Sequence, residues 1–515
     1  MKKKIRKKLH PVIVFAILTL IVMIASSVGN LFKLEASYYR VNLVTGALES
    51  ELVTIDSLFN RTGIQYLVSN MVSNFINFAP LGMIIVGLLG VGVAYKSGFL
   101  TALFKQIKKV PSKKFITFLV VLLGILTSMF YDVGYVILIP LSAILFMTLG
   151  RHPSAGICAA FAGITFGYGA NVVINGLDIS LVGYTSSSAS ILDANYVAKL
   201  DGNLIFIIIS TFLLAWFGMM ITEKFIVPKL GRYQVQEEET LEENLEISQL
   251  EKKGLAVVTI FMLPIILILI YCIIPGLPFS GLFLHLSGTS YPDQLFSNSS
   301  YFNQGSVFIF SVLLIISGLI FGLRTKTIKT SKDFVEGMNH YLSNFSSLLV
   351  MIFFAAQLSA VFKKSNIGVF ITASLAEVLG NLELTGILLV IVSFLIVIIC
   401  SIFLPVASTK WAILAPVMVP MFMQSTLTPE FAQAVFRAGD SAIKGITPLF
   451  TYFVIFIGFL QIYNQKKQDN VSITDAMSLM APYTIGYTLL WLLIIIIFFI
   501  VGLPLGPGVG TVLGG

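Results

Sequence analysis

Residues 408–416 read STKWAILAP and stand between two long apolar runs. The run before them, ILLVIVSFLIVIICSIFLPVA, covers 387–407, and the run after them, VMVPMFM, covers 417–423. Polar residues between two apolar arms predict a helical hairpin whose tip faces protein or water inside a membrane. We expect this hairpin to cover 385–427, with Ser408 at its tip.

The overall composition is that of an integral membrane protein. Of the 515 residues, 57% are hydrophobic and 11% are charged, and the mean hydropathy is +0.92. A water-soluble protein cannot bury this much apolar surface, so membrane lipid is an expected partner. The net charge of +8 does not indicate nucleic-acid binding, because the basic residues stand in connectors between apolar runs. The cysteines also lie in apolar runs and are expected to be buried and unpaired.

The apolar runs predict an all-α fold with about nine transmembrane helices and two re-entrant hairpins. The first hairpin covers 115–149, and its arms meet at Asp132. The basic N-terminal stretch MKKKIRKK places the N-terminus in the cytoplasm. Charge supports this number of crossings but leaves open whether each hairpin is re-entrant or forms two full spans.

The chain is expected to divide into two halves joined by a polar connector. The first half covers 1–221 and contains the first hairpin, and residues 222–254 form an acidic cytoplasmic linker. The second half covers 255–515 and contains the second hairpin and a broken helix at 430–463.

The two halves resemble each other in sequence. A shift of 276 residues places YVILIPLSAILFM, which begins at Tyr135, on WAILAPVMVPMFM, which begins at Trp411. An odd number of crossings separates the copies, so the repeat is inverted. Transporters built in this way bind their solute near the membrane midplane, between the two copies. The same shift aligns Asp132 with Ser408, which predicts equivalent tips that approach one centre from opposite sides.

Six ionisable residues fall within apolar segments: Asp132, Asp178, Lys410, Arg437, Asp440 and Lys444. Each would cost about 2.5–3.5 kcal/mol at a lipid-facing helix centre, so each must face protein, water or a counter-charge. Arg437, Asp440 and Lys444 share one helix face by their spacing. Two interpretations stay open. The set either neutralises itself and locks the helix, or Arg437 or Lys444 binds a solute carboxylate while Asp440 helps to couple a proton or cation.

Glycine and proline interrupt the same region. Gly169, Gly445 and Pro448 are expected to open the helical backbone and free its polar groups for an ion or solute, although plain kinks are the alternative. Asn171 and Asn175 add neutral oxygen ligands of the kind that suit sodium.

Trp411 directly follows the hairpin tip. Membrane tryptophans commonly lie at the lipid–water interface, but one at a midplane tip would stack on an aromatic solute. No Walker loop, zinc-ligand cluster or Ser–His arrangement is present, and the chain has four histidines. We therefore expect neither an enzyme nor a bound cofactor or metal.

Seven stretches carry a resemblance to a known family. They are NFAPLG (77–82), GRHPSAG (150–156), GANVVINGLD (169–178), ITEKFIVPKLG (221–231), KWAILAPVMVPMF (410–422), PEFAQAVFRAGDSAIKGITPL (429–449) and GLPLGPG (502–508). With them the chain resembles the AbgT family of p-aminobenzoyl-glutamate transporters over nearly its whole length. The resemblance implies a homodimer of nine-span subunits in a bacterial cytoplasmic membrane. It also implies transport of p-aminobenzoyl-glutamate, or export of sulfonamide-type antimetabolites, coupled to a proton or sodium gradient.

The resemblance also implies a set of pathway residues. They are Asp178, Ser408, Trp411, Pro429, Arg437, Asp440 and Pro448. Asp178 is then the leading proton or cation carrier, assisted by Asp132, Asn171 and Asn175. Arg437 and Asp440 form a central polar pair, Arg437 and Lys410 meet solute carboxylates, and Pro429 shapes a helix break. Two alternatives stay open: a sodium-coupled carrier of other carboxylates, such as dicarboxylates, and a passive channel.

Overall fold

Helices dominate the computed structural model, which describes residues 9–42, 48–107, 112–130, 132–233, 246–343, 345–465 and 470–514. The basic stretch at 1–8 and part of the predicted linker, 234–245, lie outside these residues. Within them, nine helices have the length and hydropathy needed to cross a membrane. The predicted all-α membrane architecture is confirmed.

The first series of helices precedes the predicted linker. Its members are α1 Pro11–Leu31, α2 Arg61–Ile76, α3 Ala79–Lys96, α4 Phe99–Ile107, α5 Lys113–Leu126, α6 Ile139–Thr148, α7 Pro153–Phe166, α8 Gly176–Ala189, α9 Leu204–Ile221 and α10 Val227–Leu230. A 3₁₀ turn, Thr127–Phe130, extends α5, and a π-helical turn, Gly134–Leu138, leads into α6. A second π-helical turn, Thr222–Ile226, joins α9 to α10, so helix continues into the predicted linker.

The second series follows it. Its members are α11 Gln249–Cys272, α12 Tyr291–Phe296, α13 Tyr301–Thr325, α14 Ser331–Leu342, α15 Ser346–Lys364, α16 Ile367–Gly380, α17 Gly386–Phe403, α18 Ala407–Gln424, α19 Pro429–Ile443, α20 Phe453–Ile462 and α21 Ile473–Val501. A 3₁₀ turn, Lys444–Ile446, follows α19.

The order of helices repeats along the chain. Helices α1, α2 and α3 correspond to α13, α14 and α15. Helices α13 and α14 pack against α3, and in the same way α1 and α2 pack against α15. The pair α5–α7 likewise has its counterpart in α17–α19. Pro153 and Pro429, which the shift of 276 aligns, begin α7 and α19. The crossings from α3 up to α15 are α3, α7–α8, α9, α11 and α13, and this odd number inverts the second copy.

The two hairpins and two broken spans are the counterparts that matter for function. The hairpins are α5–α6 and α17–α18. Helix α7 has 14 residues and α20 has 10, so at about 1.5 Å per residue neither crosses a hydrocarbon core alone. Only end to end do α7–α8 and α19–α20 make a span, and the backbone between their members is not α-helical.

A small β-hairpin was not predicted from the sequence. Strands β1 (Glu35–Val41) and β2 (Leu48–Thr54) pair antiparallel, with Tyr38 opposite Glu51. Tyr38, Tyr39 and Val41 supply the aromatic and β-branched content that favours a strand. The hairpin packs against α16 and α18.

The contact of α5 with α7 tests this packing. A Cβ atom on Gly163 would lie 2.4 Å from the carbonyl oxygen of Val121. We expect Gly163→Ala to push the two helices apart and to lower the free energy of unfolding by about 1–3 kcal/mol. The measurement is the unfolding temperature of the purified protein in detergent.

The matched control is Gly82→Ala in α3, where a Cβ atom meets nothing within 4 Å. This substitution should leave the unfolding temperature unchanged or raise it slightly, because alanine favours helix over glycine. Equal unfolding temperatures for the two variants would contradict the packing of α5 on α7.

Candidate functional site

Each hairpin tip touches the break of a neighbouring span. The side-chain amide of Asn171, in the break between α7 and α8, donates to the hydroxyl of Ser128 at 2.9 Å. The hydroxyl of Thr447, in the break between α19 and α20, donates to the carbonyl oxygen of Ile402 at 3.1 Å. The shift of 276 aligns Asn171 with Thr447. Each hairpin tip therefore lies beside the break of a span of its own half. Tyr131, at the first tip, lies outside the described residues.

Glycine permits the close approach of these breaks to their surroundings. A Cβ atom on Gly169 would lie 2.7 Å from the carbonyl oxygen of Arg437, and one on Gly445 would lie 2.5 Å from the ring of Phe166. Pro448 lies in the second break and has no N–H to continue a helix.

Asp440 is the centre of one buried charge cluster. The ammonium of Lys410 lies 2.5 Å from its Oδ1, and the ammonium of Lys444 lies 2.5 Å from its Oδ2. Lys410 also donates to the hydroxyl of Ser401 at 2.6 Å and to the carbonyl oxygen of Leu404 at 3.0 Å. An ammonium group has three N–H donors, so those of Lys410 are all used. The residue joins the second hairpin to α19 and is not available to a solute.

Arg437 and Asp178 form a second buried ion pair. Arg437 Nε also donates to the carbonyl oxygen of Gly169 at 3.1 Å. The other oxygen of Asp178 accepts from the backbone N–H of Asn175 at 2.9 Å, and the side-chain oxygen of Asn175 accepts from Leu177 N at 2.9 Å. These two residues therefore cap α8, and the ion pair ties the start of α8 to α19.

The structure differs from two predictions made from the sequence. Arg437 and Asp440 do not form a pair with each other, because α8 brings Asp178 to Arg437 and the second hairpin brings Lys410 to Asp440. Pro429 does not lie in a break, because it is the first residue of α19, directly after the capping side chain of Thr428.

Trp411 lies away from lipid and from the two cavities described below. It is fully buried, its indole N–H donates to the hydroxyl of Thr185 at 3.0 Å, and Thr185 donates to Gln433 at 2.6 Å. Its ring packs on Phe436 with 4.5 Å between the ring centroids. The tryptophan therefore holds α18 against α8 and α19.

An inner cavity of about 660 Å³ lies between the two tips and the two breaks. Of the site residues predicted from the sequence, Asp132, Ser408 and Lys444 line it. Further polar and charged lining residues come from the tips, the breaks and the nearby helices: Ser128, Tyr168, Ser180, Asn303, Ser359, Lys363, Asn366, Thr409 and Thr451.

One wall of the inner cavity is aromatic. The rings of Tyr135 and Tyr452 are stacked with their centroids 4.1 Å apart, and Phe450 lies 5.7 Å from Tyr135. Tyr452 also hydrogen-bonds the carboxylate of Asp132. Sequence reasoning missed this wall, although the shift of 276 aligns Tyr135 with Trp411. Of this aligned pair, Tyr135 of the first copy lines the cavity and Trp411 of the second copy does not.

A family model, AbgT putative transporter family, matches residues 4–513. This chain belongs to the AbgT transporter family. It is therefore a multi-pass membrane transporter and not an enzyme.

Individual relatives agree with this assignment. The p-aminobenzoyl-glutamate transport protein of Escherichia coli (strain K12) is 30% identical over 506 residues, which cover 97% of this chain and 94% of that protein. The crystal structure of the YdaH transporter of Alcanivorax borkumensis is 30% identical, with a TM-score of 0.50, over 97% of this chain and 100% of that one. MtrF of Neisseria gonorrhoeae, described as illuminating a class of antimetabolite efflux pumps, is 36% identical over 97% of each chain, with a TM-score of 0.49.

In this AbgT transporter an outer cavity of about 520 Å³ adjoins the inner one. The two cavities share Ser359, Lys363, Asn366 and Thr451. Asp56, which directly follows the β-hairpin, also lines the outer cavity and lies 3.5 Å from the ammonium of Lys364. The inner cavity therefore opens toward the side of the β-hairpin.

The pair of Arg437 with Asp178 tests the account of buried charges. We expect Asp178→Asn to leave the guanidinium without its counter-charge and to lower the free energy of unfolding by about 3–5 kcal/mol. Adding Arg437→Gln should restore much of this loss, because the buried cation is then gone. Thermal unfolding of the single and double variants in detergent measures both effects, and additive losses would contradict a direct ion pair.

Proposed function

We propose that this chain is a secondary active transporter of p-aminobenzoyl-glutamate and related p-aminobenzoate or sulfonamide-type compounds. It works in the cytoplasmic membrane of a bacterium, with its N-terminus inside, as a homodimer surrounded by lipid. The observation that carries the proposal is the inner cavity, which both hairpin tips and both broken spans enclose. The name of the Escherichia coli relative supports the choice of solute.

The chemistry of the cavity suits an aromatic anion. The wall of Tyr135, Phe450 and Tyr452 offers ring faces and edges to the p-aminobenzoyl group. Among the described residues, the charged side chains on the lining are Asp132, Lys363 and Lys444. Cations outnumber anions there, which favours a solute with carboxylates. Ser408 was expected at the second tip but lies in the first turn of α18, directly after the turn at 404–406, where its hydroxyl adds a hydrogen-bonding group to the cavity.

Coupling needs a group that binds a proton or sodium ion within reach of the solute. Asp132 supplies such a group, because its carboxylate lines the same cavity. Asp178 is committed to Arg437 and to the cap of α8, so we assign it a supporting role. One charge that crosses 100 mV carries about 2.3 kcal/mol, enough for roughly fiftyfold accumulation of solute.

The test is transport by purified protein in liposomes. We expect labelled p-aminobenzoyl-glutamate to move uphill under an imposed proton or sodium gradient, and the effective gradient identifies the ion. Asp132→Asn should abolish gradient-driven movement yet retain solute exchange, since the amide keeps the shape of the site but cannot take up the ion. The matched control is Asp193→Asn, on an exposed loop, which should transport normally.

The same assay separates the alternatives. Excess glutarate should not displace the labelled solute, because it lacks the aromatic ring, and strong displacement would favour a dicarboxylate carrier. Equilibration without uphill accumulation would favour a passive channel. No movement under either gradient by folded protein would contradict the proposed solute.

A further inference from the structure

One of the two buried charge clusters beside the inner cavity carries an excess positive charge. Arg437 and Asp178 neutralise each other. In the other cluster, Lys410 and Lys444 together face the single carboxylate of Asp440. All three side chains of this cluster are buried, so water does not screen the excess positive charge well. Asp132 lines the same cavity, but among the described residues no ion pair joins it to either lysine, so an anion bound at Lys444 would neutralise the excess charge of the cluster.

Lys444 is the side chain of the cluster that reaches the cavity. Lys410 is enclosed and its donors are used by Ser401, Leu404 and Asp440. Lys444 lines the inner cavity, as does Tyr168, over whose ring its ammonium lies. It contacts Asp440 on one side and lies 4.1 Å from the ring centroid of Tyr168 on another. With three N–H groups it keeps a donor for a ligand in the cavity.

The position of Lys444 is set by the repeat. The shift of 276 aligns it with Tyr168, so equivalent residues of the two copies touch each other at the floor of the cavity. Lys444 follows the last residue of α19, where the helix dipole favours a cation. The floor of the cavity therefore combines the ring of Tyr168 from the first copy with the ammonium of Lys444 from the second. A ring and a cation side by side suit a solute that has both an aromatic ring and a negative charge.

We propose that Lys444 is the anchor for a carboxylate of the solute and takes the place of an inorganic cation at Asp440. The inference rests on the proposed function and specifies how that site recognises its solute. Both oxygens of Asp440 already lie 2.5 Å from an ammonium nitrogen, which leaves no room for a metal ion between them. A solute carboxylate that binds Lys444 neutralises the excess charge, and Asp440 transmits the change to Lys410 on the second hairpin.

The experiment compares a dianion with a neutral compound that carries a similar ring. Purified wild-type protein and Lys444→Gln are titrated with labelled p-aminobenzoyl-glutamate and with sulfanilamide. A hydrogen bond to a charged group contributes about 1.5–3 kcal/mol, so the dissociation constant of the dianion should rise roughly 10- to 150-fold. Sulfanilamide should bind the variant within about twofold of wild type, because it has no carboxylate for Lys444 to bind.

The matched control is Lys364→Gln, which removes a lysine that is half-exposed and lines the outer cavity alone. It should change both dissociation constants by less than about twofold, because exposed charges are screened. Lys444→Gln is expected to fold, since Asp440 keeps Lys410 as its counter-charge. Equal weakening of both compounds in Lys444→Gln, or no weakening of either, would overturn the proposal.

A measurement on wild type alone covers the case in which Lys444→Gln does not fold. The diamide of p-aminobenzoyl-glutamate keeps the ring and the amide but has no carboxylates. It should bind at least about tenfold more weakly than the dianion, and equal binding would overturn the anchor. If wild type binds neither labelled solute nor sulfanilamide, the proposed function fails. In that case, if wild type binds glutarate and the Lys444→Gln variant does not, the result would still support Lys444 as the anchor for a carboxylate.

Discussion

A charge inside the membrane part of this protein needs a counter-charge, and the two ion pairs that α19 makes shape the architecture. Asp440 holds Lys410 of the second hairpin, and Arg437 holds Asp178 at the start of α8. Helix α19 thereby becomes the element to which a hairpin and the opposite broken span are both attached. A movement of α19 cannot leave either partner behind without exposing a bare charge to an apolar medium.

The repeat supplies a symmetric frame, and the substitutions between its copies make that frame a specific site. Equivalent polar residues fasten each break to its own hairpin tip. Equivalent aromatic positions diverge, since Tyr135 faces the inner cavity whereas Trp411 is buried against α8 and α19. At the floor, Tyr168 meets Lys444. At this floor one copy contributes a ring and the other a positive charge, as an aromatic anion requires.

Local signals in the sequence predicted the architecture, whereas the partners of the buried charges could not be predicted. Polar residues near the tips, glycines and prolines are local features, so the hairpins and the breaks follow from them, whereas Pro429 was expected in a break and instead begins α19. Helical spacing favoured Arg437 with Asp440, but long-range packing gave Arg437 a partner 259 positions away. The same packing turned Trp411 inward. Which way a side chain points depends on neighbours that a single sequence does not reveal.

The most direct test of the cavity as the solute site is the labelling of Ser408→Cys with an anionic thiol reagent. Ser408 lines the inner cavity, while native Cys158, Cys272 and Cys400 are buried and serve as the background. The account predicts labelling of the new thiol that saturating p-aminobenzoyl-glutamate slows at least about tenfold, because the solute would occupy the space the reagent needs. An unchanged labelling rate in protein that demonstrably binds the solute would contradict it.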